Sequence, residues 1–112
     1  MKSNVLSIWQ LAAMQLLKDC GKEIQSDIIE QIRDKEDLMA LALNVITALL
    51  KSGSHALTSA LYRLDIPEKK IKQQTLSLSP NERLITVAKA AIERCIQKVE
   101  IRRRYSSREN NE

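Results

Sequence analysis

A chain of 112 residues has room for one modest hydrophobic core and not for two. Its composition, 44% hydrophobic and 29% charged with no Phe, one Trp, two Tyr, two Gly and two Pro, excludes an aromatic strand-built interior and predicts an aliphatic, all-α fold. A net charge of +4 is weak for a dedicated nucleic-acid binder, and Cys20 and Cys95 could pair in an oxidising compartment, but as isolated cysteines without close spacing they read as buried thiols acting as small hydrophobes.

The opening stretch MKSNVLSIWQLAAMQLL is interrupted by Gln10 and Gln15 and is followed by no small-residue cleavage site, so it is read as a helix of the fold and not as a signal peptide. Ser3 or Asn4 is the expected cap and Gly21 the expected stop. Val5, Ile8, Trp9, Ala12, Ala13, Leu16 and Leu17 cover more than one face of this helix, which predicts burial on several sides or sharing with a partner. From Lys22 to Arg33 a single stripe of Ile24, Ile28, Ile29 and Ile32 predicts a surface helix. Asp34, Glu36 and Asp37 then suit the positive start of a new helix, or a bend in one continuous helix.

Leu38 to Leu50, broken only by Asn44 and Thr47, predicts the central helix. It is too short for the roughly 20 residues of a membrane span, and a soluble, cytoplasmic protein is expected. Gly53 ends it, and Ser54 is the expected cap of a short helix carrying Leu57, Ala60, Leu61 and Leu64. Pro67 ends or restarts that helix, and IKQQTLSLS is a short helix or loop. Ser79, Pro80 and Glu82 make a capping-box start for a long last helix with Ile85, Ala88, Ile92, Cys95 and Val99 on one stripe, widened by Leu84 and Ala91. The expected architecture is a small bundle of about five helices over residues 1–105, followed by a short disordered basic and polar tail over 106–112.

Charge is sorted along the chain. Residues 1–56 hold six basic against seven acidic side chains, and residues 57–112 hold twelve against seven. Glu23, Asp27, Glu30, Asp34 and Asp37 would form an acidic ridge on a continuous helix. Arg94, Lys98 and Arg102 form a basic one. Both are expected as wetted helix backs, or as ridges that meet within or between chains and set a register.

Specific chemistry is sparse. No catalytic, cofactor or metal site is expected. His55 is the only histidine, Cys20 and His55 lack the flanking signature of a nucleophile and base, Glu30, Asp34, Glu36 and Asp37 lack the loop glycine and ligand alternation of a calcium loop, and no glycine-rich phosphate loop exists. The segment ALLKSGSHALTSALYRL superficially resembles a helix-turn-helix, but Ser59 falls where an apolar residue is usual. Arg103 to Ser106, RRYS, has the pattern of a basic-directed kinase site. Asn44 either bonds locally or faces solvent, or it meets Asn44 of a second chain and fixes the register of a dimer.

The expected function is therefore a non-enzymatic helical interaction or adaptor module, self-associating as a homodimer or joining another protein partner through Val5, Ile8, Trp9, Ala12, Leu16, Leu41 and Val45. The alternative is a nucleic-acid-binding accessory protein in which Arg102, Arg103, Arg104 and Arg108 grip phosphates and Tyr105 stacks on a base; cations at a helix end are equally explained by the helix dipole. No membrane and no small-molecule substrate is expected.

Overall fold

The first helix starts where a side chain can satisfy the orphan amides of its opening turn. In the computed structural model, which describes residues 5–110 with the side chains of all but Ser54 and 107–110, α1 spans Ile8–Asp19. Ser7 is its cap, not Ser3 or Asn4, which lie outside the described residues. Ser7 Oγ accepts from the Gln10 amide at 3.1 Å and Gln10 Oε1 accepts from the Ser7 amide at 3.0 Å, a reciprocal box. The helix ends at Cys20 with Gly21 at φ +69°. There the amides of Gly21 and Lys22 close back on the carbonyls of Lys18 and Leu17 at 3.1 and 2.8 Å, the paired-bond stop that a left-handed residue permits.

The isoleucine segment does not form a long surface helix. Only Ser26–Glu30 is helical (α2), Ile24 is exposed, and Ile29 and Ile32 are drawn into the core. A short β-branched helix has little stability of its own, so tertiary burial of two isoleucines decides the path. Asp34 then turns the chain: its Oδ1 accepts from the Asp37 amide at 2.9 Å, and Asp37 Oδ2 accepts from the Arg33 amide at 2.9 Å. The continuous acidic ridge is therefore absent, because Glu23 lies before α2 and the other members sit on α2, on the next helix and in the turn between them.

Helix α3 runs Lys35–Lys51 and turns at Gly53, φ +117°. Helix α4 is Ser54–Arg63 with Gly53 in the cap position, so Ser54 is its first residue and not its cap. Its far end repeats the paired-bond stop of α1 without a glycine. Asp65 takes φ +61°, while the amides of Asp65 and Ile66 reach the carbonyls of Tyr62 and Leu61 at 3.1 and 2.9 Å. Helix α5, Glu68–Thr75, restarts at Pro67. Ser79 and Glu82 then form the expected box, at 3.1 and 3.3 Å, and the hydrogen bonds from Ser79 hold the Glu82 carboxyl below the ordinary carboxylate range.

Helix α6, Pro80–Asn110, has 31 residues, about 46 Å at 1.5 Å per residue, and it sets the 48 Å long dimension of the molecule. It continues through 106–110 where a disordered tail was expected, because a polar composition rich in Arg does not by itself break a helix. The protein is thus an all-α bundle with six helices among the described residues, one more than expected. No described helix is long and apolar enough to cross a membrane.

One aliphatic core joins these elements: α1 and α3 pack on α6 and on each other, and α4 and α5 close the side. Leu16, Leu38, Ile46, Leu64, Ile92, Cys95 and Val99 are its largest fully enclosed side chains. Ile85, expected on the α6 stripe, is exposed. The broad apolar surface of α1 and α3 is therefore met mostly within the chain. Ala12, Leu16 and Val45, expected at an interface, are core residues at 0%, 0% and 7% exposure and have no surface to offer a partner.

Candidate functional site

The C-terminal ends of α1 and α4 converge on one side of α6. A Cβ built on Gly21 would come to 3.2 Å from Arg63 Nη1, so the two paired-bond stops adjoin. Helix C-termini carry partial negative charge from unbonded carbonyls, and two acids add to it there. Lys98 Nζ lies 2.8 Å from Asp19 Oδ2 and donates to the Arg63 carbonyl at 2.8 Å. Arg94 donates to the Leu64 carbonyl at 3.0 Å and to Asp65 Oδ2 at 3.2 Å. Gln15 Nε2 donates to Asp19 Oδ2 at 3.0 Å and completes the shell of that buried carboxylate. The basic ridge thus meets acids within the chain, though not the acidic ridge its spacing first suggested.

Beyond this junction the ridge changes role. Between α1 and the last third of α6 lies a cleft of about 540 Å³. Leu11, Met14, Ile24 and Val99 line its floor, Lys18, Arg102 and Arg103 its cationic edge, and Gln15 and Ser106 complete the lining. No acid lines it. The stripe that buries Ala88, Ile92, Cys95 and Val99 continues on helical spacing into Arg102, Arg103 and Ser106, so the face of α6 turns from core to polar at the mouth of the cleft.

Against known proteins, the chain matches no family model, no curated protein and no solved structure.

Of the remaining expected interface residues, Val5 is exposed at 81%, whereas Ile8, Trp9 and Leu41 are half-buried and lean on the core. Arg102, Arg103 and Arg104 are exposed; the side chain of Arg108 lies outside the described residues. Since α6 runs to Asn110, Arg104 sits roughly one and a half turns or more before the described helix end, and the dipole explanation, which acts within the last turn, loses its force for all three arginines. Tyr105 is exposed beside them. Ser106 of the RRYS pattern lies on helical backbone at the cleft.

The other candidates do not gather. Asn44 is exposed and lines a shallow depression with Ile28, Asp37 and Leu41, so it is no orphaned buried amide. His55 and Ser59 are exposed. Among the described residues, no group of three or more His, Cys, Asp or Glu side chains is arranged to hold a metal ion. Cys20 and Cys95 are buried free thiols. Burial, then the Asp19 charge, pushes Cys20 up to about 11; burial, then Asp19 and Cys20, pushes Cys95 up to about 12. Thiols held protonated to that extent are inert nucleophiles near neutrality.

Leu11, Met14 and Lys18, absent from the expected interface, are what the structure adds. Their spacing of three and four residues was visible on α1, but it lay beside the richer Ala12–Leu16 stripe and so attracted no notice. Asp19 and Asp65 had no local signal pointing to Lys98 and Arg94.

Proposed function

We propose that this chain is a non-enzymatic helical module that acts by docking another protein in the cleft between α1 and α6. The observation that carries the reading is an aliphatic floor bordered by Lys18, Arg102 and Arg103, side chains that make no ion pair or side-chain hydrogen bond among the described residues. An exposed apolar floor with a polar edge is the usual chemistry of an interaction surface. The inertness of both thiols and the exposure of the single imidazole give an enzymatic reading nothing to build on. Self-association through α1 and α3 has less support than the sequence promised, since Ala12, Leu16 and Val45 are spent on the core.

The test is selection from a displayed library of helical peptides against the intact chain and against Met14→Gln, which roughens the floor with a similar volume. Enrichment on the parent that disappears on the variant supports the reading; no enrichment on the parent, or equal enrichment on both, rejects it. Sedimentation of the parent and Trp9→Ala measures self-association separately, where a dimer mass that falls to a monomer would restore it.

A second reading has one favourable observation: Arg102, Arg103 and Arg104 are exposed well before the described end of α6. As a nucleic-acid accessory protein the chain would bind labelled duplex or single strands with affinity that falls steeply with salt, and would lose binding on truncation after Ile101. The absence of any shift at low salt removes it.

A further inference from the structure

We infer that the cleft receives an acidic amphipathic helix of a partner protein, about two turns of which lie along it with apolar side chains on the floor and carboxylates against Lys18, Arg102 and Arg103. This rests on the reading of the cleft as a protein-docking site and adds the chemistry of the occupant.

Charge complementarity is the first argument. Along one row of α6, Arg94 is matched by Asp65 at 3.2 Å and Lys98 by Asp19 at 2.8 Å. The matching stops where the cleft begins. Arg102, its neighbour Arg103 and Lys18 from α1 border the same opening with no acid among the lining residues and no ion pair among the described residues. Like charges gathered on a low-dielectric edge repel one another and favour an occupant that supplies the opposite sign.

Shape and size give the second. From Leu11 to Lys18 and from Val99 to Ser106 the two walls each span eight residues, about 10 Å of helix from first to last, or two turns. An occupant helix presents apolar residues at i, i+4 and i+7 over that length, which is the helix-in-groove mode of recognition. Met14 on the floor can shift to fit such side chains.

Other occupants fit less well. A second copy placing its own α6 edge here would bring Arg102 and Arg103 against the same cations. A nucleic acid would find an aliphatic floor with no ring among the lining residues on which to stack a base.

The decisive experiment is fluorescence polarisation of the intact chain with synthetic labelled helices of about 18 residues, long enough to hold helical structure in water. One carries Leu at i, i+4 and i+7 flanked by Glu, the second has Gln for each Glu, and the third keeps the Glu residues but scrambles the Leu stripe. The Glu-flanked helix is expected to bind about tenfold more tightly than the Gln-flanked one, the sum of a few exposed ion pairs. The scrambled helix is expected not to bind. The double variant R102E/R103E should erase the tenfold advantage while the circular dichroism spectrum stays unchanged, since neither side chain supports the fold. Equal binding of the Glu- and Gln-flanked helices overturns the acidic occupant while leaving the docking reading intact. Equal binding of the scrambled helix, or tighter binding of labelled duplex DNA, overturns the amphipathic helix. Failure of all three helices also overturns the inference; the docking reading itself stands or falls separately, on enrichment from the displayed library by the parent and by Met14→Gln.

Discussion

Lys98 and Asp19 are 79 residues apart in the chain and meet at 2.8 Å with side chains only 18% and 10% exposed. Removing one partner strands the other's charge in a poorly hydrated place. Lys98→Met is expected to lower stability by about 2–3 kcal/mol, somewhat less than for a fully buried pair. It should appear as a lower urea midpoint at unchanged m, and Asp19→Leu added to it should recover much of the loss. The thiols make a different prediction. Their folded values of about 11 and 12 lie above the ordinary 9.0, so the unfolded chain ionises first. Their contribution is whole below pH 9 and declines as pH rises through 9 to about 11–12, by up to about 1.4 kcal/mol per pH unit for each thiol. Urea midpoints measured from pH 8 to 10.5 should fall less steeply in the double variant C20A/C95A than in the parent. The spacing of Arg94, Lys98 and Arg102 was legible in the sequence; their partners were not, because ion pairing across the fold leaves no local pattern.

At the scale of elements, legibility followed how locally each boundary is determined. Ser79, Pro80 and Glu82 announce α6 because cap, first-turn proline and reciprocal carboxylate fall within four residues. Ser7 and Gln10 do the same for α1, yet Ser3 and Asn4 competed for attention as earlier capping types. Ser7→Ala is expected to cost about 1 kcal/mol, visible in the urea midpoint and in fraying of the first turn by amide exchange. The segment from Lys22 to Arg33 departs from its periodicity for a physical reason: its isoleucines repeat at helical spacing, but burial of Ile29 and Ile32 and the Asp34 turn override a propensity that is weak for β-branched residues. Asp65 escaped notice because a left-handed stop ordinarily displays Gly or Asn; here Arg94 holds the side chain of an aspartate in that conformation.

For the whole molecule, an all-α bundle with a long last helix followed directly from composition and periodicity, whereas the surplus of apolar surface did not translate into an exposed face. Whether a broad apolar helix is surrounded by its own chain depends on the packing of α2, α3 and α6 around it, which a count of apolar residues cannot supply. Among the residues of α6 whose side chains are described, the last buried one is Val99. Truncation after Ile101 is therefore expected to shift the thermal midpoint by less than about 4 °C, followed by circular dichroism, while abolishing binding of the acidic helix. A larger loss of stability would assign the arginine segment to the scaffold and not to the cleft.

The junction on α6 also bears on how the molecule comes into being. Synthesis proceeds from the N-terminus, so a nascent chain on the ribosome exposes α1 and α3 before the helix that covers both has been made. Asp19 finds its cation only after residue 98 has emerged, and the core closes in a late, long-range step and not piece by piece. During that interval the uncovered leucines of α1 and α3 are exposed to chaperones and to neighbouring nascent chains, a state that favours aggregation.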